Sequence, residues 1–243
     1  MNLPSLDLLE ALAETRLLAI IRGSDPDACV NTALTLINTG VTVLEVSLTS
    51  KDALETIRRI AAAASGSAVI GAGTVLTEVQ TLEALDAGAQ FIVTPGLAPS
   101  VDTASRLGVP LLVGALTPTE VLQAIERGAS AVKLFPASLG GPGYLKALRD
   151  PFPDIHFIPV GGVDVDSVSS YLQSGALAVG AGSPLTGDAP DGGSLAALQG
   201  RAASFLRLTD SGLAESGLAE SPRTVAGGSA ASGRPMEERQ WTS

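Results

Sequence analysis

The sequence predicts an α/β chain folded as a (β/α)8 TIM barrel, a single domain with a short N-terminal helix and a C-terminal tail. Two observations carry this. The first is an internal repeat of glycine, a small residue and a short apolar run. It occurs at Gly40-Val41-Thr42-Val43-Leu44-Glu45, Gly88-Ala89-Gln90-Phe91-Ile92-Val93, Gly108-Val109-Pro110-Leu111-Leu112-Val113, Gly128-Ala129-Ser130-Ala131-Val132-Lys133 and Gly175-Ala176-Leu177-Ala178-Val179-Gly180. The second is helical spacing ahead of these glycines, as in 26–38 and 120–126. Glycine suits the left-handed position just past a helix C-terminus. An apolar run with little alternation suits a parallel strand buried on both faces. Helix, glycine, strand, repeated, is the pattern of α/β units.

Taken in order, a helix over about 6–14 comes first, placed to plug the barrel floor. Strand one spans 17–22, and Ser24 or Asp25 ahead of Pro26 reads as the N-cap of the first crossover helix. Strand two follows Gly40, and Thr49-Ser50 marks the next helix start. Strand three lacks the repeat glycine and covers 68–71. Strands four, five and six follow Gly88, Gly108 and Gly128. The amphipathic stretch 144–149 precedes strand seven at 156–160, and strand eight follows Gly175. Strands recur every 20 to 27 residues or so, which places about eight units in about 200 residues. A doubly wound sheet would carry G-x-G-x-x-G after strand one, where this chain has Arg22-Gly23-Ser24-Asp25-Pro26. The segments are thus 1–16, the helix; 17–209, the barrel; and 210–243, a mobile tail with a repeated Ser-Gly-Leu-Ala-Glu at Ser211 and Ser216 and no site.

Composition narrows the chemistry. Of 243 residues, 45% are hydrophobic and 16% charged, enough apolar surface for an ordered core. No apolar run approaches the 18 or so residues of a membrane span, and the N-terminus lacks a basic region and cleavage site, so a soluble, cytoplasmic protein is expected. The net charge of −10 argues against nucleic acid or an anionic membrane as partner. One cysteine (Cys29) and one histidine (His156) exclude a disulfide framework, a zinc-ribbon site and a His-rich metal centre. No cofactor is expected. The lysines are Lys51, Lys133 and Lys146.

Barrel active sites lie at the C-terminal ends of the strands. Counted from the repeat glycine, the fifth following residue is Glu45 in one unit and Lys133 in another, and equal offsets imply equal facing. Both are expected to top an apolar inward row. Among apolar neighbours Lys133 is disfavoured as an ammonium, which frees an amine to attack a carbonyl. The competing reading is a structural Lys133–Glu45 ion pair. Lys51 and Lys146 read as solvated. Gly161-Gly162 after strand seven and Gly182-Ser183 after strand eight occupy the two loops that hold phosphate in many barrels, here with no Lys or Arg close by in sequence. Arg22 ends strand one and can bind a substrate carboxylate bidentately, with Thr74 donating to the same group. Thr94 reads as serving its own turn.

Leu44-Glu45-Val46, Ile70-Gly71-Ala72-Gly73-Thr74-Val75, Val93-Thr94-Pro95-Gly96, Val132-Lys133-Leu134-Phe135-Pro136 and Pro159-Val160-Gly161-Gly162-Val163 occur together in order. In these motifs, over about residues 5–208, the chain resembles the 2-keto-3-deoxy-6-phosphogluconate (KDPG) aldolases, which include 4-hydroxy-2-oxoglutarate and 6-phosphogalactonate (KDPGal) aldolases. The resemblance implies a metal-free class I aldolase, usually a homotrimer, acting on a small phosphorylated keto acid. It implies Lys133 as the Schiff-base lysine and Glu45 as general acid and base. Gly161, Gly162, Gly182 and Ser183 would receive the phosphate, while Thr74 and Pro95, with Phe135 of the lysine motif, would line the substrate pocket. The chain departs from the pattern at Thr49, where some members carry an arginine on the carboxylate; Arg22 then becomes the carboxylate candidate. Val160 precedes Gly161-Gly162 as in galactonate-type members, where gluconate-type members often carry threonine. The rivals are a phosphosugar isomerase or epimerase on the same barrel and a non-catalytic phosphometabolite-binding protein.

Overall fold

The computed structural model describes residues 8–215, and side chains as far as 210; the expected helix start near Leu6 and the tail from 216 lie outside them. The chain alternates helix and strand throughout. Helix α1 (Leu8–Thr15) leads into β1 (Leu17–Ile21), α2 (Pro26–Thr39), β2 (Val43–Ser47), α3 (Ala53–Ala64) and β3 (Val69–Gly73). Then come α4 (Glu78–Asp86), β4 (Phe91–Val93), α5 (Pro99–Arg106), β5 (Leu111–Ala115), α6 (Pro118–Glu126) and β6 (Ala131–Leu134). The last units are α7 (Gly141–Arg149), β7 (Phe157–Pro159), α8 (Val168–Gln173), β8 (Val179–Ala181), the single turn α9 (Ser183–Thr186) and α10 (Leu195–Glu215). The final helix runs past residue 210, into the segment read as tail. No helix among the described residues is long and apolar enough to cross a membrane.

The repeat glycines do what their spacing predicts. Gly40, Gly88, Gly108, Gly128 and Gly175 all have positive φ, between 67° and 105°, where a Cβ is penalised. At the other end, α2, α4 and α6 are capped by side chains. Asp25, rather than Ser24, caps α2 by accepting the N–H groups of Asp27 and Ala28, with Pro26 at N1. Thr117 and Glu120 close a capping box on α6, whose backbone hydrogen bonds hold the Glu120 carboxyl below its usual range.

All eight strands are parallel, in the order β7-β6-β5-β4-β3-β2-β1-β8. The barrel closes through one bridge between Val160 and Gly180. A Cβ on Gly180 would sit 2.6 Å from Val160 Cγ2, so the absence of a side chain there is what lets these strands meet. Strand residues split between two cores. Leu18, Ile20, Val43, Val69, Phe91, Leu112, Ala131 and Ile158 fill the interior, joined from below by Leu8 and Leu12 of α1. Leu17, Ala19, Leu44, Val46, Ile70 and Ile92 face outward onto the helices. Both faces are therefore apolar, which explains the missing alternation. The Arg16 guanidinium ties this floor together by donating to the carbonyls of Ala176 (3.0 Å) and Leu177 (3.2 Å), and burial pulls its pKa down.

Candidate active site

Glu45 and Lys133 meet inside the barrel. The strands begin three to four residues after the repeat glycines; Lys133 ends the inward row of β6, whereas Ser47 continues the row of β2 beyond Glu45. Glu45 is the third of five residues in β2 and Lys133 the third of four in β6. β2 and β6 lie four places apart in the sheet, on opposite walls. In register Gly71 stands beside Glu45 and Gly114 beside Lys133, and room for the carboxylate comes from Gly73, where a Cβ would lie 2.6 Å from Glu45 Oε1. Lys133 Nζ lies 3.6 Å from Glu45 Oε1, with the two residues 6% and 1% exposed.

A structural ion pair at this depth would have its remaining polar atoms satisfied, since an unpaired buried charge is costly. Glu45 Oε2 is buried with no hydrogen-bond partner. Nζ lies 5.5 Å from the centroid of the Phe135 ring, within cation–π range. An amine, a carboxylate with an idle oxygen and an aromatic face thus share one water-poor chamber, an arrangement suited to adding the amine to a carbonyl and moving protons at the carbon next to it. Lys51 and Lys146 are exposed and take no part.

Above this chamber a cavity of about 320 Å³ opens at the barrel mouth. Gly161, Gly162, Gly182 and Ser183 line it, as the late-loop reading anticipated, and Phe135 forms its wall toward Lys133. Gly161 and Gly162 have φ of 91° and 80°. They are held against the β6 loop, where Ala137 N–H donates to the Val160 carbonyl (2.8 Å) and Ser138 N–H to the Gly161 carbonyl (3.0 Å). Arg22 lines the same cavity. That corrects the reading that these loops lack a nearby cation: β1 pairs with β8 when the barrel closes, a neighbourhood that sequence order hides. Asp191 also lines it; Ser24 N–H (2.7 Å) and hydroxyl (2.8 Å) donate to its carboxylate and lower its pKa.

On the opposite side of the mouth stands Thr74, held at φ 60°, a strained setting for a β-branched residue. Its Oγ1 lies 3.1 Å from the hydroxyl of Ser47, which in turn lies 2.8 Å from Thr49 Oγ1. Sequence reasoning missed Ser47, although its place two residues beyond Glu45 on the same strand face was a usable signal. The exposed Pro95 packs its carbonyl against Gly114, the register neighbour of Lys133. Thr94 accepts the Gly114 N–H (3.4 Å), a bond to the neighbouring strand β5 rather than to its own turn. A larger groove of about 810 Å³ lies outside the barrel between α2, α3 and α4. Its arginines are already paired, Arg58 with Glu55 and Arg59 with Asp27, both at 2.8 Å, and it holds none of the predicted site residues.

The chain is similar to known aldolases over most of the barrel. The model of the family described as "Aldolase: KDPG and KHG aldolase" matches residues 8–191. A probable 2-dehydro-3-deoxy-6-phosphogalactonate aldolase of Rhizobium meliloti is 38% identical over 174 residues, covering 71% of this chain and 82% of that protein. A 2-dehydro-3-deoxy-phosphogluconate aldolase of Treponema pallidum is 37% identical over 168 residues, covering 68% and 79%. Among solved structures, a native KDPGal structure superposes with a TM-score of 0.77 at 31% identity, covering 88% of this chain and all of that one. The chain belongs to the KDPG and KHG aldolase family and is an aldolase of the lyase class.

Proposed function

We propose that this aldolase works through a Schiff base on Lys133, cleaving 2-keto-3-deoxy-6-phosphogluconate or its galactonate epimer to pyruvate and glyceraldehyde 3-phosphate. One observation carries the reading: a buried lysine 3.6 Å from a buried carboxylate whose second oxygen is unpartnered. Glu45 takes the proton that leaves Lys133 neutral, and Nζ adds to the C2 ketone. Glu45 then returns a proton to the C2 hydroxyl, which leaves as water and gives the protonated imine. That cation withdraws electrons from C3. When Glu45 removes the C4 hydroxyl proton, the C3–C4 bond breaks and the aldehyde departs. Glu45 reprotonates the remaining enamine at C3, and hydrolysis releases pyruvate and the free lysine.

The cavity at the mouth suits the distal end of the substrate. Gly161, Gly162, Gly182 and Ser183 supply backbone N–H groups and a hydroxyl for phosphate. Arg22, first taken as a carboxylate ligand, is better assigned to this end because it lines the same cavity. Thr74 and Pro95 flank the pyruvoyl end. Without the phosphate, 4-hydroxy-2-oxoglutarate would present a carboxylate to the same groups. The barrel at 17–209 carries the activity in the cytoplasm, as a homotrimer. Exposed Leu76, Val79, Leu82 and Leu107, on or beside α4 and α5, support an assembly surface.

Borohydride added with pyruvate should place one covalent adduct on the peptide containing Lys133. An adduct on Lys146 overturns the assignment to Lys133, and no adduct at all favours an isomerase or epimerase that uses Glu45 as a base and Lys133 only for electrostatics. Parallel assays with the gluconate, galactonate and unphosphorylated substrates decide the C4 preference, and sedimentation decides the oligomer.

A further inference from the structure

The hydroxyls of Thr49, Ser47 and Thr74 form a continuous chain beside the lysine–carboxylate pair, and their protons can be counted. Ser47 is fully buried, at the inward-facing end of β2, two residues beyond Glu45. Its Oγ is the middle link, 2.8 Å from Thr49 Oγ1 and 3.1 Å from Thr74 Oγ1, and it also accepts the Thr49 N–H at 3.4 Å. Strand pairing sets the geometry: Ser47 stands opposite Gly73, and the Leu48 N–H donates to the Gly73 carbonyl at 2.8 Å, which brings Thr74 alongside.

Three hydroxyls carry three protons, and the two internal contacts consume two. The third leaves the chain at one end. If Ser47 donates to Thr49, Thr74 must donate to Ser47 and shows only lone pairs to the barrel mouth. If Ser47 donates to Thr74, Thr49 fills the second lone pair of Ser47, and the Thr74 proton is free to point into the mouth. An anion at Thr74 selects the second direction, because all three O–H dipoles then align toward it. Thr74 is also kept at a strained φ of 60°, a cost that persists only where the surroundings impose it.

We propose that Ser47 is a positioning residue that makes Thr74 a proton donor to the carboxylate of the keto acid, so that a neutral relay from Thr49 recognises the donor half of the substrate. This rests on the Schiff-base reading above. Thr74 touches the substrate; Ser47 acts through it and Thr49 through both. The readout is the rate of borohydride trapping with pyruvate relative to its uncharged analogue pyruvamide. A merely structural serine would affect both alike. The ratio should fall about tenfold in Ser47→Ala, the scale of one hydrogen bond to a charged group, fall less in Thr49→Val, and recover in Ser47→Thr. Thr49 is exposed, so its variant decides the matter even where Ser47→Ala fails to fold. An unchanged ratio in both variants overturns the relay while leaving the Schiff base intact. A parent protein that traps neither ketone overturns the Schiff-base reading and the relay with it.

Discussion

A single methyl group placed on Gly73 tests whether the position of the Glu45 carboxylate, rather than its mere presence, drives the reaction. Gly73 ends β3 in extended backbone that alanine also adopts, so the substitution is steric. The new Cβ would lie 2.6 Å from Glu45 Oε1 and 2.9 Å from Cδ, against 3.4 Å for ordinary contact. The carboxylate must therefore retreat by about 0.8 Å. β3 cannot move aside instead, because it is paired along its length with β2 and again with β4. The present gap to Lys133 Nζ is 3.6 Å, so a retreat on this scale is enough to loosen the pair.

A displacement near 1 Å in a reacting constellation costs up to about 100-fold. We expect Gly73→Ala to lose about 30-fold in kcat/KM, roughly 2 kcal/mol of transition-state stabilisation. The assay is pyruvate release followed by coupled reduction, with melting temperature as the fold control. Gly143→Ala in α7, where the added carbon meets nothing within 4 Å, is the neutral comparison. The decisive step is the double variant. If the methyl acts through the carboxylate, it adds little to Glu45→Gln, since coupled sites are not additive. Full activity in Gly73→Ala, or a loss that multiplies with that of Glu45→Gln, refutes the argument.

Arg22→Leu should raise KM for a phosphorylated substrate about tenfold or more while leaving pyruvate trapping on Lys133 almost unchanged; equal losses in both would return Arg22 to the carboxylate end. Burial, then the charges of Asp191 and Asp25, push the Cys29 thiol from its ordinary 9.0 up to about 11, so the folded protein holds this proton longer than the unfolded chain. The resulting stability is fully present below pH 9 and lost as pH rises toward 11, and denaturant titrations of Cys29→Ala should lack that alkaline decline. Gly200 lies exposed inside α10, with open space around the position of an added Cβ; Gly200→Ala should stabilise by about 0.5–1 kcal/mol and raise Tm by about 2 °C, and a fall in Tm would contradict the packing described.

Local chemistry was readable from the chain because each signal resides in a few consecutive residues. A helix that ends needs a left-handed position, so five glycines marked five helix-to-strand junctions. A strand covered on both faces needs no alternation, so apolar runs marked the barrel wall, and equal offsets from those glycines put Glu45 and Lys133 on its inner face. The limit of that reasoning was register. Where a strand begins and ends relative to its glycine depends on pairing with a neighbour, which is why Ser47 still follows Glu45 on the inner face of β2.

Tertiary structure decided whatever depends on closure. Arg22 and Ser183 are 161 positions apart in the chain, yet share one cavity because the first strand pairs with the last. Ser47 ends β2 and Thr74 directly follows β3, and the alignment of these neighbouring strands brings two ordinary hydroxyls to 3.1 Å. The idle oxygen of Glu45 is likewise a property of the packed interior. Sequence specifies which groups face inward through backbone periodicity, whereas the partners they find there follow from long-range strand pairing that no local window contains.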